Sequence, residues 1–201
     1  MPDRRRVLVA LALLPAFPAL AVANTASYRA FAEQLVSKPP AGMIVRPDME
    51  AYLDAKASAA RTGRGYPALK ASDALRTAAR AQAIEMAIGN YVGHQSSTGE
   101  PFRVRFEAFL GDGGASSFGE NAARDRQKGG IDTVKADRLF QQWLDSAGHR
   151  NNLMNRNYQY VSTGAIQVGN HLYAVQIFWD YDPARVRSVG SPAQGGTVTF
   201  Y

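Results

Sequence analysis

Residues 161–179 read Val161-Ser-Thr-Gly-Ala-Ile-Gln-Val168-Gly169-Asn170-His171-Leu-Tyr-Ala-Val-Gln-Ile-Phe-Trp179. Two runs rich in β-branched and aromatic residues flank Gly169-Asn170, a favoured two-residue hairpin turn. The spacing predicts strands over 161–168 and 172–179. In the second run Tyr173, Val175, Ile177 and Trp179 alternate on one face, and Leu172, Ala174, Gln176 and Phe178 on the other. A strand apolar on both faces is covered on both sides and stands centrally in its sheet. Gln176 is the one polar side chain in it.

Upstream of this hairpin the period is helical. The clearest segment is Ser72 to Ile88, where Leu75, Ala78, Ala79, Gln82, Ala83, Met86 and Ala87 follow the i, i+3, i+4, i+7 template. Ser72 or Asp73 is expected to cap it, and Gly89-Asn90 to end it. Its stripe is mostly alanine, which allows close approach to a neighbour. A short helix is expected around Tyr28, Phe31, Leu35 and Val36, and a second around Met49, Tyr52, Leu53 and Ala57. A fourth follows over 101–109, with Phe102, Phe106 and Phe109 at compatible spacing. A fifth follows the Asp132-Thr133 cap, carries Ala136, Leu139, Phe140, Trp143 and Leu144, and is expected to run to about Gly148. Helices first and strands late predict an α+β fold, a three-layer α-β-α sandwich with a central antiparallel sheet.

The first 23 residues read as an export signal. Arg4-Arg5-Arg6 precede an apolar run over 7–20 broken by Pro15 and Pro18, and Ala21-Val22-Ala23 is a small-x-small cleavage site. The arginine pair suits either the general or the twin-arginine route. Cleavage would change the net charge from +6 to +4, because the signal holds three arginines and one aspartate. The basic residues fall in scattered pairs, such as Arg61/Arg64, Arg103/Arg105 and Arg185/Arg187, and are expected to be solvated. No recognition-helix or aromatic-basic pattern accompanies them, which speaks against nucleic acid as a partner. There is no cysteine, so the fold rests on packing and no thiolate can hold a metal. The expected organisation is a signal over 1–23, a helix and linker over 24–47, one domain over 48–185 and a tail over 186–201. The tail is read as loose, with a last strand at 197–201. The loop 111–117, Gly-Asp-Gly-Gly-Ala-Ser-Ser, has one acid where a calcium loop needs several.

The polar residues that could form a site lie in short strings. His94 follows the alanine-rich helix. Gly119-Glu120-Asn121 follows the glycine loop. Trp143-Leu-Asp145-Ser146-Ala-Gly148-His149-Arg150-Asn151-Asn152 ends the fifth helix. Together with Tyr173-Ala-Val-Gln176-Ile-Phe178, these strings resemble, in order, the CAP superfamily of cysteine-rich secretory, antigen 5 and pathogenesis-related 1 proteins. The resemblance is to its bacterial, cysteine-free branch and runs from about Asp48 to about Asp182. It implies the same α-β-α sandwich and a central cleft built on His94, Glu120 and His149, with Ser146 and Gln176 nearby.

Two imidazoles and a carboxylate are also a candidate divalent-metal set. The family cleft commonly has a second acid three residues after the helix tryptophan. Here that position is Ser146, which brings no charge, so the resemblance implies at most weak zinc binding by His94, His149 and Glu120. His149 is expected at a helix C-terminus, where the dipole favours a donating imidazole. Asn121, Arg150 and Asn152 are expected to brace the backbone. A Ser146–His149 nucleophile pair lacks a Gly-x-Ser-x-Gly elbow, and no His-Glu-x-x-His string is present.

The expectation is therefore an exported protein of the periplasm or extracellular space, without stable membrane insertion once the signal is removed. It would be a non-catalytic binding module whose cleft holds a small, lipid-like or envelope-derived ligand, a weakly bound divalent cation such as zinc, or both. A metal-dependent hydrolase of envelope peptide or polysaccharide is the alternative from another class, and a protein-interaction module with a structural cleft is the third.

Overall fold

The computed structural model describes residues 25–110, 117–180 and 197–200, the last as backbone. The expected signal, the loop 111–116 and most of the expected tail lie outside the described residues. Among the described residues no helix is long and apolar enough to cross a membrane.

In chain order the elements are α1 (Thr25–Ser37), β1 (Met43–Val45), α2 (Pro47–Thr62), β2 (Lys70–Ala71), α3 (Arg76–Gly89), α4 (Phe102–Leu110) and β3 (Ser117–Asp125). There follow α5 (Thr133–Asp145), α6 (Ala147–Leu153), β4 (Tyr160–Val168), β5 (His171–Trp179) and β6 (Thr197–Phe200). The sheet runs β1-β4-β5-β3-β6, with β2 alongside β4. The β4–β5 hairpin closes as expected, with Val168 opposite His171. β5 is central, antiparallel to β4 on one side and β3 on the other. The short edge pairs β2–β4 and β3–β6 are parallel.

Both faces of β5 are covered, as its composition predicts. Tyr173, Val175, Ile177 and Trp179 join a core with Ala79, Ala83 and Met86 of α3 and Phe102 and Phe106 of α4. Leu172, Ala174 and Phe178 join a second core with Leu53 of α2, Trp143 of α5 and Leu153 of α6. The result is a three-layer α-β-α sandwich. The alanine stripe does what its size permits. α3 lies so close to β4 that a Cβ on Gly164 would stand 2.3 Å from the backbone of Ala79 and Arg80.

Several local readings are corrected. α3 begins at Arg76, after Leu75 as N-cap, and no side chain caps it. Ser72 instead accepts from the N–H of Ala74, and Asp73 pairs with Arg76. Asn90 does end the helix, at φ 55°. The stretch read as a linker supplies β1, which pairs with β4. Glu120, for which no strand was expected, is mid-strand in β3. The fifth expected helix stops at Asp145. Ser146, at φ −78° and ψ 122°, breaks it, and α6 restarts at Ala147. His149 is thus in the first turn of a helix and not at a C-terminus.

Candidate functional site

Glu120 is fully buried, and its carboxylate is engaged from two sides. Arg105 of α4 donates from Nη2 to Oε1 at 2.8 Å and from Nη1 to Oε2 at 3.1 Å. His94 Nδ1 lies 2.8 Å from the same Oε1. An ionised carboxylate only accepts, so Nδ1 carries the hydrogen. Arg105 Nη2 also donates to the carbonyl of His94 at 2.7 Å, which ties down the loop after α3. Burial alone would raise the pKa of Glu120, but Arg105 and His94 outweigh it and hold the carboxyl below its ordinary value.

Sequence reasoning missed Arg105, which it placed on the surface. Arg105 is fully buried, as is Arg61. Both were legible. Arg105 lies three residues after Phe102, on the same helical stripe as Phe106. Arg61 extends the series Met49, Leu53, Ala57 at intervals of four. Arg61 donates to the carbonyls of Pro67, Leu153, Asn155 and Tyr158, and so crosslinks the end of α2 to the segment after α6.

β3 runs between the two helix layers. Phe118, Glu120 and Ala122 face α3 and α4, and Asn121 and Ala123 face α5 and α6. His94 and Glu120 therefore belong to one layer, and His149, on α6, to the other. Asn121 Nδ2 donates to the carbonyl of His149 at 3.0 Å. Asn152 Nδ2 donates to the carbonyl of Glu120 and to Asn121 Oδ1. Arg150 Nη1 donates to the carbonyl of Leu144. These are the bracing roles expected of Asn121, Arg150 and Asn152. Gly119 makes this docking possible, because a Cβ there would stand 2.5 Å from Tyr158 Oη and 2.8 Å from Asn152 Oδ1.

β6 pairs with β3 only over Ser117–Glu120. Beyond that point β3 borders a groove of about 410 Å3 lined by Val92, Ala122, Ala123, Arg124, Gln142, Ser146 and His149. Gln142 Nε2 donates to the carbonyl of Arg124 at its rim. The lining holds no carboxylate. It has an apolar wall, a hydroxyl, an amide, an imidazole and a guanidinium.

Of the expected site residues, His94 joins Glu120, and Ser146 joins His149. Gln176 joins neither pair. It is buried on the other face from Glu120 and donates from Nε2 to the carbonyl of Leu53 at 3.0 Å. Among the described residues no group of three or more His, Cys, Asp or Glu side chains is arranged to hold a metal ion. The ligand set His94, Glu120 and His149 does not assemble, because both oxygens of Glu120 are held by Arg105 and the two histidines come from opposite layers. Zinc therefore does not suit these residues as they stand.

Residues 55–179 match the family described as CAP, the cysteine-rich secretory protein family. The chain is 33% identical over 114 residues to YkwD of Bacillus subtilis, across 56% of this chain and 40% of that protein. It thus spans well under half the length of that relative. Among solved structures it is similar to an extracellular protein containing an SCP domain from Bacillus anthracis. The identity is 25% and the TM-score 0.54, over 67% of this chain and 41% of that one. An outer surface protein of Borrelia burgdorferi shares the fold, at 17% identity and TM-score 0.59, over 70% of this chain and 98% of that one. Although it contains no cysteine, this chain belongs to the cysteine-rich secretory protein (CAP) family.

Proposed function

We propose that this protein is an exported, non-catalytic binding module, and that a small amphipathic ligand occupies the groove at the edge of β3. The observation that carries this reading is the groove lining. Val92, Ala122 and Ala123 offer apolar contact, and Ser146, Gln142, His149 and Arg124 offer polar groups without a competing carboxylate. Concave sites of this kind, mostly apolar with a few convergent polar groups, are what small ligands use. A hydrolase needs a base free to take a proton from water. Glu120 supports no such role, because it is buried away from water and both its oxygens are engaged by Arg105 and His94. Export is supported by the arginine-led apolar start and Ala21-Val22-Ala23, and by the likeness to an extracellular bacterial protein.

The test compares small molecules that co-purify with the exported wild type and with Ala123→Trp, whose indole would fill the groove. Mass spectrometry should find a compound enriched on the wild type and lost from the variant. Equal recovery from both would overturn the groove as the site. Cell fractionation with N-terminal sequencing checks export, and mature protein starting near Asn24 is expected.

A further inference from the structure

At the end of β3, two guanidinium groups converge on one neutral side chain. Asn90 ends α3 in the left-handed region. Arg124 Nη1 donates to the Asn90 carbonyl at 2.9 Å and to Asn90 Oδ1 at 3.1 Å. Arg126 Nη2 donates to the same Oδ1. Other arginines at the surface take carboxylates, as Arg29 takes Glu33 and Arg103 takes Glu107. Among the described residues, Arg124 and Arg126 take only this amide and its carbonyl.

The nearby acids are turned away from them. Asp125 stands between the two arginines in sequence, but strand alternation sends it to the opposite face, where it accepts from Lys135 and Arg138. Glu120 is held in the core by Arg105 and His94. Asp145 accepts from Gln141 and is not part of the groove lining. Two like charges gathered on an amide repel each other, and an anion placed between them turns that repulsion into attraction. The bonds to Asn90 use Nη1 of Arg124 and Nη2 of Arg126. The other N–H groups of both forks are left to receive a ligand. Arg124 is itself part of the groove lining, beside Val92 and Ala122. Val92 is 44% exposed, one of few large apolar side chains left so open among the described residues.

We propose that the ligand of the groove carries an anionic head, a carboxylate or a phosphate monoester, and that Arg124 and Arg126, gathered on Asn90, bind that head. The apolar part of the ligand then lies along Val92, Ala122 and Ala123. This identity of the head rests on the groove as the binding site. Both halves of the ligand are needed. A purely polar anion would leave the apolar wall facing water, and a neutral amphiphile would leave the two charges together without a counter-charge. A cation is disfavoured at this end of the groove for the same reason. Asn90 acts as a positioning residue, because its amide oxygen and carbonyl set where the two forks stand.

The test is calorimetric titration of the whole protein with probes that share one chain and differ in the head: octanoate, octyl phosphate and the neutral octanamide, with inorganic phosphate alone as a fourth. Octanoate and octyl phosphate should each bind about tenfold or more tighter than octanamide, and added salt should weaken only the two anions. Comparing those two tells which head the site prefers. Arg124→Gln with Arg126→Gln, both at the surface, should bring octanoate down to the level of octanamide. Val92→Asp, which puts a carboxylate at an exposed position of the lining, should weaken octanoate more than octanamide. Ala123→Trp should remove every amphiphile. Equal binding of octanoate and octanamide to the wild type, with both lost in Ala123→Trp, would overturn the anionic head and leave the groove reading standing. Binding that neither Ala123→Trp nor Val92→Asp alters, or no binding of any probe, would overturn the groove and the head together. Inorganic phosphate held as tightly as octyl phosphate would overturn the amphiphile.

Discussion

Arg105 and Glu120 are both completely buried, and their ion pair closes at 2.8 Å between Nη2 and Oε1. Breaking such a pair from one side strands a charge in the core. Arg105→Met is expected to cost about 3–5 kcal/mol in denaturant unfolding, whereas Arg105→Met with Glu120→Met should recover most of that loss. The pH dependence should change as well. In the wild type the pKa of Glu120 is held below its ordinary value, so its stabilising contribution is present at neutral pH and is lost as pH falls through the folded pKa. Without Arg105, burial dominates, the pKa of Glu120 rises above its ordinary value, and this acid-side loss should disappear.

Asp54 behaves in the opposite sense. Burial raises its pKa to about 6, against the pull of Thr163 and Arg76. The folded state then binds the proton more tightly than the unfolded chain. The contribution of Asp54 to stability is full below the ordinary carboxyl pKa and declines as pH rises through about 6. At about 1.4 kcal/mol per pKa unit, the decline is at most about 3 kcal/mol. Unfolding free energies of wild type and Asp54→Asn should therefore diverge between about pH 4 and 6, with the wild type losing ground. A constant difference across that range would assign the effect to packing.

Two glycines should differ in what a methyl group does. At Gly164 the new Cβ would meet backbone of α3 at 2.3 Å, and backbone cannot swing aside. Gly164→Ala is expected to cost about 3 kcal/mol or to prevent folding. At Gly119 the close atoms are the ends of the Tyr158 and Asn152 side chains. Gly119→Ala should cost less and should chiefly disturb the docking of α6, visible as faster hydrogen exchange at residues 147–153.

Zinc should bind poorly. Both Glu120 oxygens are engaged and His94 and His149 approach from opposite layers. Calorimetric titration of wild type and Ser146→Glu should show no tight site in either. A tight site in the wild type would mean that the Arg105–Glu120 pair opens to release a ligand.

The hairpin, the central place of β5 and the helical segments were legible because each depends on a short-range pattern. Period-two alternation gave both faces of β5, and the i, i+3, i+4 spacing gave α2, α3 and α5. The site was legible as a set of strings and not as a geometry. Nothing local told that Glu120 is a mid-strand residue, because Gly119-Glu120-Asn121 has the composition of a turn. Its strand conformation comes from pairing with β5 along its whole length, from Phe118 opposite Trp179 to Asp125 opposite Leu172. The break at Ser146 was hidden for a similar reason. The helical pattern continues past it, and Arg150 bonding back to Leu144 accompanies the change of direction.

The sequence alone determined the α+β class, the β4–β5 hairpin with β5 at the centre of the sheet, and the family. These follow from periodicity, turn chemistry and ordered motifs, all readable within a few residues. Only the tertiary structure decided which polar residues meet. It joined Glu120 to Arg105 and His94, placed His149 and Ser146 across β3 in a groove, and turned Gln176 toward Leu53. The physical reason is that a buried charge takes its partner from whatever element packs over it. For Glu120 the partners lie 15 and 26 residues away in the chain, at separations that no local pattern encodes.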